Sequence, residues 1–201
     1  MKYYTSIGPN PRVVSLFMAA RGIQPEIVKV DLRGGENRGE AFMRINPTGT
    51  LPALALDDGT VIAEVTAICE YLDEVTPGAS LIGSTALERA ETRMWTRRID
   101  LTIAEPLTNG YRFGEGLALF QSRLRCIPEA SDGLKTIARE KTAWLDAQMT
   151  GRSWICGDRF TLADIFLFAF LEFGTKIGQP FDTGLAWIPG WYERVAARFA
   201  K

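Results

Sequence analysis

Asn46-Pro47-Thr48-Gly49-Thr50-Leu51-Pro52-Ala53-Leu54, NPTGTLPAL, is followed twelve residues after Pro52 by Glu64 at the head of EVTAICEYLDE. The first segment is a loop rich in turn residues that ends in Leu-Pro and feeds an apolar strand; the second opens a helix on an acidic residue. A loop and a helix start in this order predict a fold that presents a backbone edge and a carboxylate to one peptide-like ligand.

The flanking residues supply the rest of a small α/β domain. KYYTS reads as a strand, residues 11–21 as a helix closed by Gly22, residues 27–32 as a strand, and residues 40–45 as a short helix. After the proline loop come strands at 53–56 and 60–63, joined through the turn dipeptide Asp58-Gly59, and a helix over 64–75. The order βαβ then ββα implies a mixed sheet with helices on both faces. Residues 76–84, TPGASLIGS, read as a linker, so domains are expected at 1–78 and 86–201.

Beyond residue 86 the pattern is helical: Met94, Trp95, Ile99 and Ile103 recur at helical spacing, as do the apolar residues of 134–149 and 191–199. Phe160-Thr161-Leu162-Ala163-Asp164 predicts a capping box, with Asp164 returning a bond to the Thr161 backbone. The apolar run behind it, 165–171, is apolar on so many sides that it belongs at the centre of the helical domain.

Composition narrows the chemistry. Of 201 residues 46% are hydrophobic, and 23 Lys+Arg against 24 Asp+Glu leave a net charge of -1 with the basic residues scattered. Neither a nucleic-acid stripe nor a membrane-binding patch is expected. No apolar run approaches the roughly 20 residues of a membrane span, and a strand pattern begins by Lys2, so a cytoplasmic protein without a leader is expected. Cys69, Cys126 and Cys156 form no C-x-x-C pair and are expected to be buried thiols. With no histidine in the chain, histidine-dependent nucleophile systems and common transition-metal sites are excluded. No metal and no cofactor is expected.

Three places can carry chemistry. Asn10-Pro11 fits an N-cap followed by proline at the first helical position, which would deliver the loop from Ser6 to Pro9 to a helix N-terminus that favours an anion such as a thiolate. Ser6 and Asn10 are the polar candidates to approach a sulfur, with Tyr4 behind them. A free thiol has a pKa of about 8.5, and one or two charge-assisted hydrogen bonds of roughly 1.5 to 3 kcal/mol would lower it by about one to two units. Pro52 has the setting of a cis proline, which would turn the Leu51 N–H and C=O outward to pair with an extended peptide. Glu64 can hold a ligand ammonium while the N–H groups of Val65 and Thr66 hold its carboxylate.

The N-P-x-G-x-L-P run at 46–52, the Glu-x-x-Ala-Ile-x-x-Tyr-Leu helix at 64–72, the Gly-Asp-x-Phe-Thr-Leu-Ala-Asp run at 157–164, and a closing helix with Trp191 and Arg194 together resemble the glutathione transferase superfamily over essentially the whole chain. The resemblance implies an α/β thioredoxin-like N-terminal domain followed by an all-α helical C-terminal domain, with glutathione as co-substrate. It implies that Leu51 bonds the cysteinyl part of glutathione, that Pro52 is cis, and that Glu64 binds the γ-glutamyl ammonium.

Two positions depart from the family pattern. Val65 stands where many relatives carry serine, and Gly8 stands where others place a catalytic hydroxyl or thiol. The Pro9-Asn10 pair is similar to bacterial members in which asparagine approaches the sulfur and which often reduce disulfides. The implied partners are glutathione and a small hydrophobic electrophile or a disulfide, the latter in an interdomain cleft to which Met94, Arg98, Tyr111 and Arg112 contribute. A homodimer acting in detoxification is expected. A non-catalytic binding or assembly module of the same fold is the alternative, favoured by Gly8 and Val65.

Overall fold

The computed structural model describes residues 1–200 and divides into two compact units, Met1–Ser80 and the chain from Leu81 on. The first unit runs β1 (Lys2–Thr5), α1 (Pro9–Arg21), β2 (Glu26–Lys29), a short 3₁₀ turn (Glu36–Arg38), α2 (Glu40–Ile45), β3 (Ala53–Ala55), β4 (Val61–Ala63) and α3 (Val65–Val75). The strands order as β2-β1-β3-β4. β1 and β2 are parallel, as a helical crossover between them requires, and β3 and β4 join antiparallel. The core of this unit contains Tyr3 from β1, Val13, Val14 and Phe17 from α1, Leu54 from β3, and Ile68 and Leu72 from α3.

Two boundaries of this unit differ from the sequence expectation by two residues or more. α1 begins at Pro9, two residues early, with Gly8 as its N-cap. Pro9 takes the first helical position, and Pro11 is tolerated in the same turn because first-turn amides have no acceptor within the helix. Asn10 is therefore a helical residue and not the cap. β2 ends at Lys29 instead of residue 32. The Val30 N–H still reaches Thr5 O at 2.9 Å, but the chain then turns through Gly34 and Gly35, and the Glu36 N–H returns to Asp31 O at 3.0 Å.

A buried ion pair closes the far end of this unit. Arg21 in the last turn of α1 and Asp73 in α3 have side chains only 5% and 6% exposed, with Nε 3.3 Å from Oδ1, a charge contact outside good hydrogen-bond alignment. The guanidinium also donates to the Thr76 carbonyl at 2.5 Å, to the Asp73 carbonyl at 3.3 Å and to the Ala79 carbonyl, while the Ser80 hydroxyl donates to the Asp73 carboxylate. The chain leaving α3 is thus held by one guanidinium. Arg21→Ala is expected to cost about 3 to 5 kcal/mol in urea unfolding because it strands a buried carboxylate. Arg21→Lys should recover little of this, since an ammonium cannot serve the spread of carbonyls that a planar fork reaches.

The second unit is helical: α4 (Ala86–Ile99), a π turn (Asp100–Ala104), α5 (Glu105–Phe113), α6 (Leu117–Phe120), a 3₁₀ turn (Pro128–Ala130), α7 (Ser131–Gln148), α8 (Leu162–Lys176) and α9 (Ile188–Phe199). Every residue from Leu162 to Leu171 is buried, so α8 forms the centre. Asp164 accepts from the Thr161 N–H at 2.9 Å, as the capping-box pattern implies, and also from the Ile155 N–H at 3.0 Å and Trp191 Nε1 at 2.9 Å. The α9 start is capped from α7, since Asp146 accepts from the N–H groups of Ala186, Trp187 and Ile188 at 3.1, 2.8 and 2.7 Å. Cys69 and Cys156 are buried as expected; Cys126 is only half-buried. Among the described residues no helix is long and apolar enough to cross a membrane.

Candidate functional site

Sheet register determines which loops meet. Tyr4 of β1 stands opposite Ala53 of β3, and Ala53 stands opposite Ala63 of β4. This row lies at the end of the sheet where β1 runs into the Ser6–Gly8 loop, where the chain arrives from Leu51-Pro52, and where β4 runs into Glu64. Strands lie about 4.8 Å apart, so the row is roughly 10 Å wide, close to the length of three extended residues. One edge of the first unit therefore displays all the N-terminal candidates over the span of a tripeptide.

At the first of these loops Gly8 has φ 122°, a conformation open to glycine and costly for any residue with a Cβ. No side chain caps α1, and among the described residues the Asn10 carboxamide has no hydrogen-bond partner. Asn10 is half-buried in the first helical turn, where its own backbone N–H, set between Pro9 and Pro11, and the helix dipole favour negative charge. Ser6 differs. Its hydroxyl donates to Val30 O at 2.7 Å, which commits the proton to the backbone.

At the centre of the edge the Leu51–Pro52 peptide bond is cis, and Pro52 is buried. The β3 ladder starts only at Ala53, and Leu51's N–H and C=O make no hydrogen bond among the described residues. The loop delivering Leu51 is tied down by two buried asparagines. Asn37 Nδ2 donates to Gly49 O at 2.6 Å, and Asn46 Nδ2 donates to Thr50 O at 2.9 Å while its Oδ1 accepts from the Thr48 hydroxyl at 2.9 Å. Gly49, at φ 63°, packs with its Cα against Arg38, Asn37 and Met43, leaving 3.1 Å for any added Cβ. The role of Asn37 has no signal in the sequence, because its partner lies twelve residues away in a different loop.

At the third position Glu64 is the N-cap of α3 and sits at φ 72°, the one non-glycine residue with positive φ among those described. Such a backbone costs of order 1 to 3 kcal/mol and persists where the surroundings demand it. The Glu64 side chain is exposed and caps nothing. Among the described residues the N–H groups of Val65 and Thr66 have no hydrogen-bond partner, while the Glu64 carbonyl already accepts from the Ile68 N–H at 3.0 Å. The result is an acidic side chain beside unpaired amides, the pairing that an α-amino acid end calls for. Val65 is buried and contributes only its amide; the half-buried Thr66 also carries a hydroxyl.

Residues 7–75 match the family model for the glutathione S-transferase N-terminal domain, and residues 128–198 match that for the glutathione S-transferase C-terminal domain. Across 98% of its length the chain is 30% identical to Glutathione S-transferase 2 of Saccharomyces cerevisiae, covering 85% of that protein. The chain belongs to the glutathione S-transferase family. It is also 44% identical to Protein LigF of a Sphingobium species, over 89% of this chain and 82% of that one. A solved glutathione S-transferase domain-containing protein from Marinobacter aquaeolei matches with a TM-score of 0.92 at 35% identity, covering 98% of both chains.

The helical unit of this family member holds the remaining candidates in different settings. Met94 is 40% exposed on α4. The Arg98 guanidinium lies 4.9 Å from the Trp95 ring centre. Tyr111 packs edge-on against Phe173 at 5.5 Å and Phe120 at 6.1 Å, and Arg112 donates to Asn109 Oδ1 at 3.0 Å. Burial lowers the Arg112 pKa below the ordinary guanidinium value.

Proposed function

We propose that this glutathione S-transferase family member binds glutathione along the Leu51 edge, lowers the pKa of its thiol, and directs the thiolate at an electrophilic carbon or a disulfide sulfur. The observation that carries the reading is the single sheet row that brings the Asn10 turn, the unpaired Leu51 main chain and the strained Glu64 corner to one edge. Leu51 pairs with the cysteinyl main chain, Glu64 holds the γ-glutamyl ammonium, and the amides of Val65 and Thr66 hold its carboxylate. Asn10, with a free carboxamide at a helix N-terminus, stands ahead of Ser6 as the donor to sulfur, because the Ser6 proton is spent on Val30. Catalysis then consists of positioning and anion stabilisation, with glutathione as co-substrate and without a covalent protein intermediate.

Met94, Arg98, Tyr111 and Arg112 are proposed to shape the site of a small hydrophobic second substrate, and the protein is proposed to work as a cytoplasmic homodimer in detoxification. Asn10→Ala should lower turnover about tenfold to a hundredfold, the worth of one hydrogen bond to a charged atom, while the glutathione dissociation constant stays within about threefold. Steady-state kinetics with chlorodinitrobenzene and with a small disulfide measure this. Unchanged turnover in both assays would remove Asn10 from the mechanism. Gly8 and Val65, which lack hydroxyls, favour the second reading of a binding module; calorimetry showing no heat up to millimolar glutathione would favour it over the first.

A further inference from the structure

We propose that Tyr3 is a positioning residue for the sulfur site: its phenol fixes the first turn of α1 to the sheet and so sets where the Asn10 carboxamide stands. The inference rests on the role of Asn10 given above and goes further by naming what holds it.

The start of α1 is short of its usual tethers. Gly8 offers no capping side chain, and Pro9 and Pro11 have no N–H. The backbone bond closing this turn, from the Arg12 N–H to Gly8 O, is 3.3 Å, beyond the usual range of an N–H···O bond. Against that loose start, Tyr3 donates its O–H to Pro11 O at 2.7 Å, one residue past Asn10. Tyr3 lies on β1, which pairs with strands on both sides, and the residue is 1% exposed. The tether therefore runs from a central strand of the sheet to the turn that faces the ligand edge. Burial pushes the phenol pKa up to about 12, so the hydroxyl keeps its proton and stays a donor across the working pH range. Ser15 Oγ, 3.5 Å from the phenol oxygen, is its weaker neighbour.

A buried tyrosine needs some acceptor, and any carbonyl would satisfy that need. The position of this acceptor is what gives the bond a second consequence. A reacting group misplaced by about 1 Å can lose a hundredfold in rate, so a smaller displacement of this turn is expected to cost less.

Tyr3→Phe removes one oxygen from a ring that stays packed, so the variant is expected to fold. The thiol pKa of bound glutathione, read from thiolate ultraviolet absorbance against pH, should rise by about half a unit or more, and turnover with chlorodinitrobenzene should fall about threefold to tenfold, with glutathione affinity within about twofold. Ser15→Ala, which leaves the phenol bond to Pro11 intact, should leave the thiol pKa in place. Tyr3→Phe combined with Asn10→Ala should be no worse in turnover than Asn10→Ala, because both act through one carboxamide.

A Tyr3→Phe protein with lower thermal stability but an unchanged thiol pKa overturns the inference, as does a Ser15→Ala shift of the same size, which would indicate general loosening of the core. If Asn10→Ala itself leaves the thiol pKa unmoved, the sulfur-site assignment falls and Tyr3 falls with it. If Asn10→Ala raises that pKa and Tyr3→Phe does not, the fault lies with Tyr3 and not with the site.

Discussion

Glu64→Gly is expected to give a more stable protein that binds glutathione poorly. Glutamate at φ 72° pays a backbone penalty that glycine escapes, and relief should add about 1 kcal/mol to stability after allowance for the greater freedom of glycine in the unfolded chain. The same change removes the carboxylate assigned to the γ-glutamyl ammonium, a charge-assisted contact of roughly 2 to 3 kcal/mol, which corresponds to about a 30-fold to 150-fold rise in the glutathione dissociation constant. Stability and affinity therefore move in opposite directions, which separates a residue kept for binding from one kept for folding. Glu64→Ala should lose the affinity without the stability gain. Urea unfolding and calorimetric titration on the three proteins test this; a Glu64→Gly protein with wild-type affinity would break the assignment.

The second large effect lies in the helical unit. Asp164→Ala leaves the buried N–H donors of Ile155, Thr161 and Trp191 unanswered at once, each worth about 1 to 3 kcal/mol when left without an acceptor. A combined loss of about 4 to 5 kcal/mol is a large share of ordinary domain stability and should appear as a sharply lower unfolding midpoint, with no specific effect on the thiol pKa in protein that remains folded.

The same residue makes a pH prediction whose sign is informative. Burial pushes the Asp164 carboxyl up to about 6 even though four donors favour its ionised form. A folded pKa above the unfolded value of about 3.9 means that the folded state binds this proton more tightly. The contribution is then full below about pH 4 and is lost as pH rises through 6, a change of about 3 kcal/mol at most. The stability gap between wild type and Asp164→Asn should narrow by about 1 to 2 kcal/mol from pH 5 to pH 8. A gap that stays flat over that interval would mean that the four donors outweigh burial, since a folded pKa below about 3.9 leaves both states ionised throughout it.

What could be read from the amino-acid order was what depends on neighbours in the chain. Alternating and helical periodicities separated an α/β first half from a helical second half, Asp58-Gly59 marked its turn, and Thr161 with Asp164 marked the start of α8. The cis Leu51-Pro52 bond and the helix start at Glu64 were legible because loop residues, strand and helix start follow one another within twenty residues. The misses arise where two local solutions compete or where a partner is remote. Asn10-Pro11 imitates a cap and first helical residue, but Gly8-Pro9 supplies the same pair two positions earlier and keeps the loop shorter. The Asp146 cap on α9 spans forty residues, and the Asn37 grip on Gly49 joins two loops. No pattern of residue types announces that Glu64 would adopt positive φ, since glutamate has no preference for it. The Ser6 bond to Val30 follows from the parallel pairing of β1 with β2, which becomes concrete only once the register is known.

A crystal structure with bound glutathione tests the central claim most directly. The account predicts the cysteinyl main chain hydrogen-bonded to Leu51 N–H and C=O, the γ-glutamyl ammonium against Glu64, and the sulfur within reach of the Asn10 carboxamide. Glutathione bound elsewhere on the protein, or no bound ligand at saturating concentration, would contradict it.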